Sequence, residues 1–228
     1  MVNTLLPGMT LVADSYVDPK APEYPGVEPY IVRYAFDPRR AVESITELGY
    51  SRGQDGKFRD AAGEPLSVGY RTITKDINAK SMYAVADYWG RIGVDVETEV
   101  VPQARASDIR YRATYPSFEQ AGVPKGLANL TFYTKTPALP ENNFIGGYHT
   151  RYKNAELEAL IDRYYVTIPF AERVQLLGNI IRIATDQLIV AGLFYEPQPT
   201  PVSNRILNLT SIGPSAANAW NAHELDIR

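Results

Sequence analysis

Cysteine is absent from the 228 residues, which excludes disulfides, thiol nucleophiles and thiolate metal sites together. Histidine is scarce. The two present, His149 and His223, stand far apart in the chain, whereas a stable metal centre needs three or more oriented ligands, so neither a metal nor a cofactor is expected. A Gly-x-Ser-x-Gly elbow and the glycine-rich phosphate loops are missing. There is no long basic run, and the formal net charge of -3 argues against nucleic acid as a partner, which would call for a basic face. The richest apolar stretch, residues 170–195, is interrupted by Asn179, Arg182 and Asp186, each costly in hydrocarbon, which excludes a membrane span there. The opening Met1-Val2-Asn3-Thr4-Leu5-Leu6-Pro7 has neither the charged nor the apolar region of a secretory signal. Carboxylate pairs such as Asp95 with Glu97, or Glu156 with Glu158, fall on strand or helix faces where solvated charge is the default, and no catalytic residue is nominated.

What is present is ordinary globular material, 45% hydrophobic and 21% charged, long enough for one large domain or two small ones. Asn154 is a good N-cap, and Leu157, Leu160, Ile161 and Tyr164 follow it at helical spacing. A second helix starting near Thr167 repeats Phe170, Val174, Leu177, Ile181, Ala184 and Leu188. Leu176, Ile180 and Ile183 widen that stripe until most of the girth is apolar. Residues 1–36 hold five prolines that prevent a long helix and predict an extended segment. Asp37-Pro38 opens a helix that ends at Gly49, with Ala41, Ile45 and Leu48 inward, and residues 53–63 read as a small hairpin. A strand over 66–73, a helix over 78–92 stopped by Gly93, and a strand over 94–101 form a parallel unit, with Trp89 in the core. A helix over 103–113, an irregular stretch over 114–126 and a third strand over 130–133 follow. Residues 134–150 make a loop long enough to suggest function.

The literal residues carry more. Tyr152-x-Asn154, Glu156-Leu157-x-Ala159-Leu160-Ile161 and Ala171-Glu172-Arg173, followed by an apolar exit at 189–195, resemble the C-terminal lobe of the family 5 extracytoplasmic solute-binding proteins. These are peptide, dipeptide and nickel receptors of ABC importers. Residues 8–24, the helix opened by Asp37-Pro38, Trp89-Gly90-Arg91-Ile92-Gly93-Val94-Asp95-Val96 and the ending Trp220-Asn221-Ala222-His223-Glu224 match further family segments in order. Ala155, Glu158 and Ile168 stand where the family has Pro, Asp and Asp. The resemblance implies an α/β fold, a periplasmic-binding-protein type II-like lobe with a partly parallel sheet flanked by helices. It further implies a ligand-binding lobe over residues 1–192 and a return segment over 193–228 that packs on an N-terminal lobe absent from this chain, which would make the chain a fragment. An unpaired strand edge from residue 193 onward follows. The implied role is non-enzymatic and extracytoplasmic, the capture of an oligopeptide or other small solute for ABC permease subunits.

Ligands of open parallel sheets lie beyond the carboxyl ends of the strands. That rule nominates Arg71 and Thr74 after the first strand, Tyr115 and Phe118, and then Tyr133, Thr134, Thr136, Glu141 and Asn142 after the third. Sixteen tyrosines make aromatic stacking of a solute an expectation. The family's peptide receptors hold the peptide amino group with an Asp in the last of these loops. The loop here has none, which leaves Glu141 as the substitute anchor. Arg105, Arg110 and Arg112 fall at helical spacing and offer an anion contact or a solvated face. Two other readings stand beside the receptor: a hydrolase using Glu141, and a protein-interaction module. The Asn-Leu-Thr triplets at Asn129 and Asn208 read as buried strand sequence.

Overall fold

The computed structural model describes residues 2–73, 75–122, 137–145, 151–197, 201–209 and 222–228. Its elements begin with α1 (Val2–Leu5), α2 (Tyr24–Val27) leading into a 3-10 turn (Glu28–Tyr30), α3 (Pro38–Glu47), and the short strands β1 (Ser51–Arg52) and β2 (Phe58–Arg59). Next come β3 (Ser67–Ile73), α4 (Asp76–Ile92), β4 (Asp95–Val101), α5 (Ile109–Ala113) and β5 (Phe118–Gln120). The chain continues through a 3-10 turn (Pro140–Asn142), α6 (Ala155–Val166), α7 (Phe170–Asp186), β6 (Ile206–Leu207) and β7 (Asp226–Ile227). Two compact units result. The first is Met1–Pro7, Tyr34–Gly122 and Pro137–His149, and the second Gly8–Arg33, Val123–Thr136 and Thr150–Arg228.

In the first unit the predicted strand, helix and strand form a parallel sheet of order β4-β3-β5, with Ser67 opposite Asp95 and Tyr70 opposite Phe118. This is the α/β architecture the sequence implied. Helix α4 begins two residues before the predicted start and stops at Gly93, whose φ of 101° is a left-handed cap that a side chain would strain. Met82 is fully buried, and Trp89 stacks on Tyr70 at 5.4 Å and meets Phe118 edge-on at 5.2 Å. A hairpin forms here, with β1 two residues ahead of the predicted 53–63, and the Phe58 amide bonds the Gly93 carbonyl at 2.8 Å, fixing the hairpin to the end of α4.

Three expectations for this unit need correction. Asp37 caps α3 as predicted, accepting from Arg39 and Arg40, but the inward stripe is only half-covered and Leu48 is 77% exposed. The helix packs lightly on α4 and nothing among the described residues covers its end. The predicted helix over 103–113 is broken: Gln103–Arg105 is a 3-10 turn, and Asp108, accepting from the Tyr111 amide, caps the separate α5. An Asp side chain that can bond the backbone competes with helix continuation. Strand β5 occupies a stretch predicted to be irregular, since three residues are too few to show alternation. The predicted strand at 130–133 lies outside the described residues.

The second unit is built on α7, where Leu176, Leu177, Gly178, Ile180, Ile181, Ile183, Ala184 and Thr185 are buried, as its broad stripe required. It starts at Phe170, after Pro169, rather than at Thr167, and the two ends of its stripe, Phe170 and Leu188, are exposed. Helix α6 packs on it through Leu157, Ile161 and Tyr164, and Asn154 accepts from the Leu157 amide at 3.0 Å, the predicted cap. The proline-rich segment rides on α7 so closely that a Cβ at Gly26 would lie 2.4 Å from Val174, and one at Gly178 2.6 Å from the Tyr30 ring. Residues 193–195 run antiparallel to 11–13, through Ala13 N to Leu193 O at 3.5 Å and Tyr195 N to Leu11 O at 3.3 Å, so this edge has a partner on one side. The Tyr195 hydroxyl sits 2.9 Å from the carbonyls of both Ser15 and Val17, and burial pushes its pKa up to about 12. Asn208, read above as buried strand, is instead an exposed residue with φ of 61° beyond β6, and its amide bonds the Glu224 carbonyl.

Candidate functional site

The two faces of β3 are chemically different. Tyr70 and Thr72 look toward α4, where Tyr70 donates to Gln120 at 2.8 Å and burial raises its pKa to about 12. Gly69 and Arg71 lie on the opposite face, flanked in register by Glu97 and Glu99 of β4 and, beside Arg71, by Glu119 of β5. This second face carries the candidate site.

Arg71 is its centre. The guanidinium is 1% exposed, and it ion-pairs with Glu119 at 2.6 Å and donates to the Arg112 carbonyl at 3.0 Å. It is stacked between the rings of Tyr115 at 3.8 Å and Tyr111 at 4.8 Å, with Arg105 on Tyr111 in turn at 3.8 Å. Arg112 pairs with the other oxygen of Glu119. Burial pushes the Glu119 carboxyl up, but the hydrogen bonds and charges of Arg112 and Arg71 prevail and hold it below the usual carboxylate range. Tyr111 donates to Glu99, which raises the tyrosine's pKa. The three arginines predicted to share a helix therefore divide: Arg105 on the 3-10 turn over Tyr111, Arg112 on Glu119, and Arg110 exposed on α5.

Beside this stack runs a groove of ≈ 330 Å³ lined by Gly69, Glu97, Thr98, Glu99, Tyr115 and Ser117. Gly69 leaves room for the Tyr115 hydroxyl, which a Cβ there would meet at 2.5 Å, so a larger residue must move the tyrosine that walls the groove. Ser117 donates to the Gly69 carbonyl at 2.7 Å and locks the segment before β5 against β3. The lining offers hydrogen-bond acceptors and an aromatic face to a solute. No nucleophile and base are paired there, and among the described residues no group of three His, Asp or Glu is arranged to hold a metal. No helix among them is long and apolar enough to cross a membrane.

The nominated residues are distributed unevenly. Arg71 and Tyr115 are in contact, with Arg71 committed to internal partners and Tyr115 forming a groove wall. Phe118 packs on Trp89, on the α4 side of the sheet. Asn142 is occupied locally, accepting from the Leu139 amide at 3.0 Å and donating to the Pro137 carbonyl at 2.8 Å, while neighbouring Glu141 is exposed. Thr74, Tyr133, Thr134 and Thr136 lie outside the described residues, as do His149 and Asn129. The groove lies before the start of β5, not beyond a carboxyl end. Ser117 and Glu119 belong to the 114–120 stretch from which Tyr115 and Phe118 are nominated, without being singled out, and Gly69 is not nominated, yet an isolated Gly inside a strand pattern is a known sign of close approach.

No protein-family model matches the sequence. No curated protein matches it either. Solved structures do. NikZ from Campylobacter jejuni in complex with Ni(L-His) superposes with a TM-score of 0.72 at 17% identity, covering 98% of this chain and 45% of that one. An oligopeptide-binding protein from Thermus thermophilus, complexed with a pentapeptide, gives 0.74 at 21% over 91% of this chain and 37% of its own. AppA, the oligopeptide-binding protein from Bacillus subtilis in complex with a nonapeptide, gives 0.70 at 16% over 100% and 44%. The chain thus spans less than half of each of these three proteins. At such identities the likeness shows the fold: an α/β fold of the periplasmic-binding-protein type II class, in part of its full extent.

Proposed function

We propose that the chain is the C-terminal portion of a family 5 extracytoplasmic solute-binding protein, which captures an oligopeptide-like or other small solute for the permease subunits of an ABC importer. The observation that carries this reading is the superposition of nearly the whole chain on proteins solved with a nonapeptide, a pentapeptide and a nickel–histidine complex. The ordered sequence resemblances at residues 8–24, 37–49, 89–96 and 152–195 support it independently. In this reading residues 1–192 form the ligand-binding lobe and 193–228 return to an N-terminal lobe encoded with it. The solute is held by shape, stacking and hydrogen bonds, with no bond made or broken. Tyr115 supplies a stacking wall, Glu141 an anchor for a solute amine, and Arg71 the buried support under Tyr115. Closure of two lobes around the solute shifts an open–closed equilibrium by differential contact.

The test begins at the source locus, where an in-frame upstream lobe and adjacent permease genes are expected. Calorimetry on the full coding product, titrated with a mixed oligopeptide pool and with Ni(II)–histidine, then gives saturable heat for one of them that Tyr115→Ala weakens. A full product that binds neither, or that turns over a peptide in a Glu141-dependent way, refutes the receptor reading.

A further inference from the structure

We propose that the α3–α4 side of the first unit is a docking surface for a partner protein that presents carboxylates around an apolar or aromatic side chain. This does not depend on the solute reading. A second groove, of ≈ 420 Å³, is floored by Pro38, Val42 and Ile92 and ringed by Arg39, Arg52 and Arg91, with Glu43 the one carboxylate in its lining. Three guanidiniums round one depression stand out in a chain whose net charge is -3. They are also available. Arg39 has no side-chain partner among the described residues, while Arg91 is held by Asp87 in an exposed i,i+4 pair, a contact of little worth. Arg52 is oriented by its bond to the Ile92 carbonyl at 2.7 Å and by the Phe58 ring at 5.3 Å, leaving the rest of its guanidinium fork to a ligand.

Apolar surface continues from the groove. Phe36 is 76% exposed and meets the edge of the 40% exposed Tyr88 at 5.4 Å, and Arg91 lies 5.7 Å from the Tyr88 ring, joining the aromatic pair to the basic rim. Phe, Tyr and Arg are among the residues enriched in protein interfaces, whose aromatic centre is bordered by a polar rim. The planar guanidinium fork matches a carboxylate in two bonds, which favours Asp and Glu side chains over other acceptors. A groove this open suits projecting side chains and not an enclosed small molecule.

The test is fluorescence anisotropy of the 228-residue chain with a labelled helical peptide carrying Glu and Leu on one face around a single Trp, beside a twin with Gln for each Glu. The acidic peptide binds, more weakly as NaCl is raised. Arg39→Glu with Arg91→Glu, and separately Phe36→Ala, each weaken binding by about tenfold or more, and the Gln twin binds at least about tenfold less tightly. Circular dichroism verifies that each variant is folded. Because the side chains changed are exposed, Arg39→Gln and Phe36→Ala remain usable if the double reversal unfolds. The proposal is overturned if the acidic peptide fails to bind at millimolar concentration, if the twin binds equally, or if the folded variants bind like the parent. Capture of phosphatidylglycerol vesicles or single-stranded DNA through these arginines, without peptide binding, equally overturns it.

Discussion

Replacing Arg71 with Met separates two roles that the sequence alone could not distinguish. If the guanidinium serves a ligand, its loss weakens binding and leaves folding nearly intact. The geometry argues for the opposite. Arg71 is 1% exposed, and its removal takes away one of the two cations on Glu119, orphans a hydrogen bond to the Arg112 carbonyl and empties the space between the Tyr111 and Tyr115 rings. Breaking one side of a buried ion pair costs about 3–5 kcal/mol, and Arg112, still bound to Glu119, places Arg71→Met toward the lower end. The expected result is therefore a loss of about 3 kcal/mol in urea unfolding, with an unchanged m-value. Arg71→Met with Glu119→Leu removes both charges together, and Arg112, which is partly exposed, can turn to solvent. The double variant should accordingly lose less than the two single losses added, a coupling of about 1–3 kcal/mol. A single-variant loss below about 1 kcal/mol, or additivity in the double variant, refutes the buried-support argument and returns Arg71 to the ligand.

Three further outcomes follow from the same contacts. Gly69→Ala forces a Cβ to within 2.5 Å of the Tyr115 hydroxyl and should cost about 1–3 kcal/mol in thermal unfolding, most of it recovered by adding Tyr115→Phe. Because the Glu119 carboxyl is held below its unfolded value of about 4.3, its contribution is complete above that pH and disappears as pH falls through the lower folded value; Glu119→Gln should flatten the acid limb of a stability–pH curve. Tyr195 has the opposite sign: raised from about 10 to about 12, it stabilises fully below pH ~10 and loses that contribution as pH climbs through its folded value, so Tyr195→Phe should flatten the alkaline limb.

Regular apolar spacing made the helices and the β3–α4–β4 unit legible, because burial of one face imposes a period that survives any tertiary context. Caps were equally legible: Asp37 and Asn154 hold the amides that their positions required. The site was not, for a physical reason. Arg71, Glu119, Tyr111 and Tyr115 come together only because β5 lies beside β3, and β5 is three residues of Phe, Glu and Gln with no periodic signature. A long-range parallel pairing leaves no local trace in composition, so Glu119 was not singled out and Arg71 read as a ligand contact at the end of its strand. The one local hint was Gly69, a glycine inside an otherwise regular strand, which marks where Tyr115 closes against the sheet. Periodicity thus reports burial on each element, whereas the charges that fill the interior report which elements are neighbours. In this chain the second kind of information sits in a single buried arginine, and its double-variant coupling to Glu119 measures the pairing that the sequence hides.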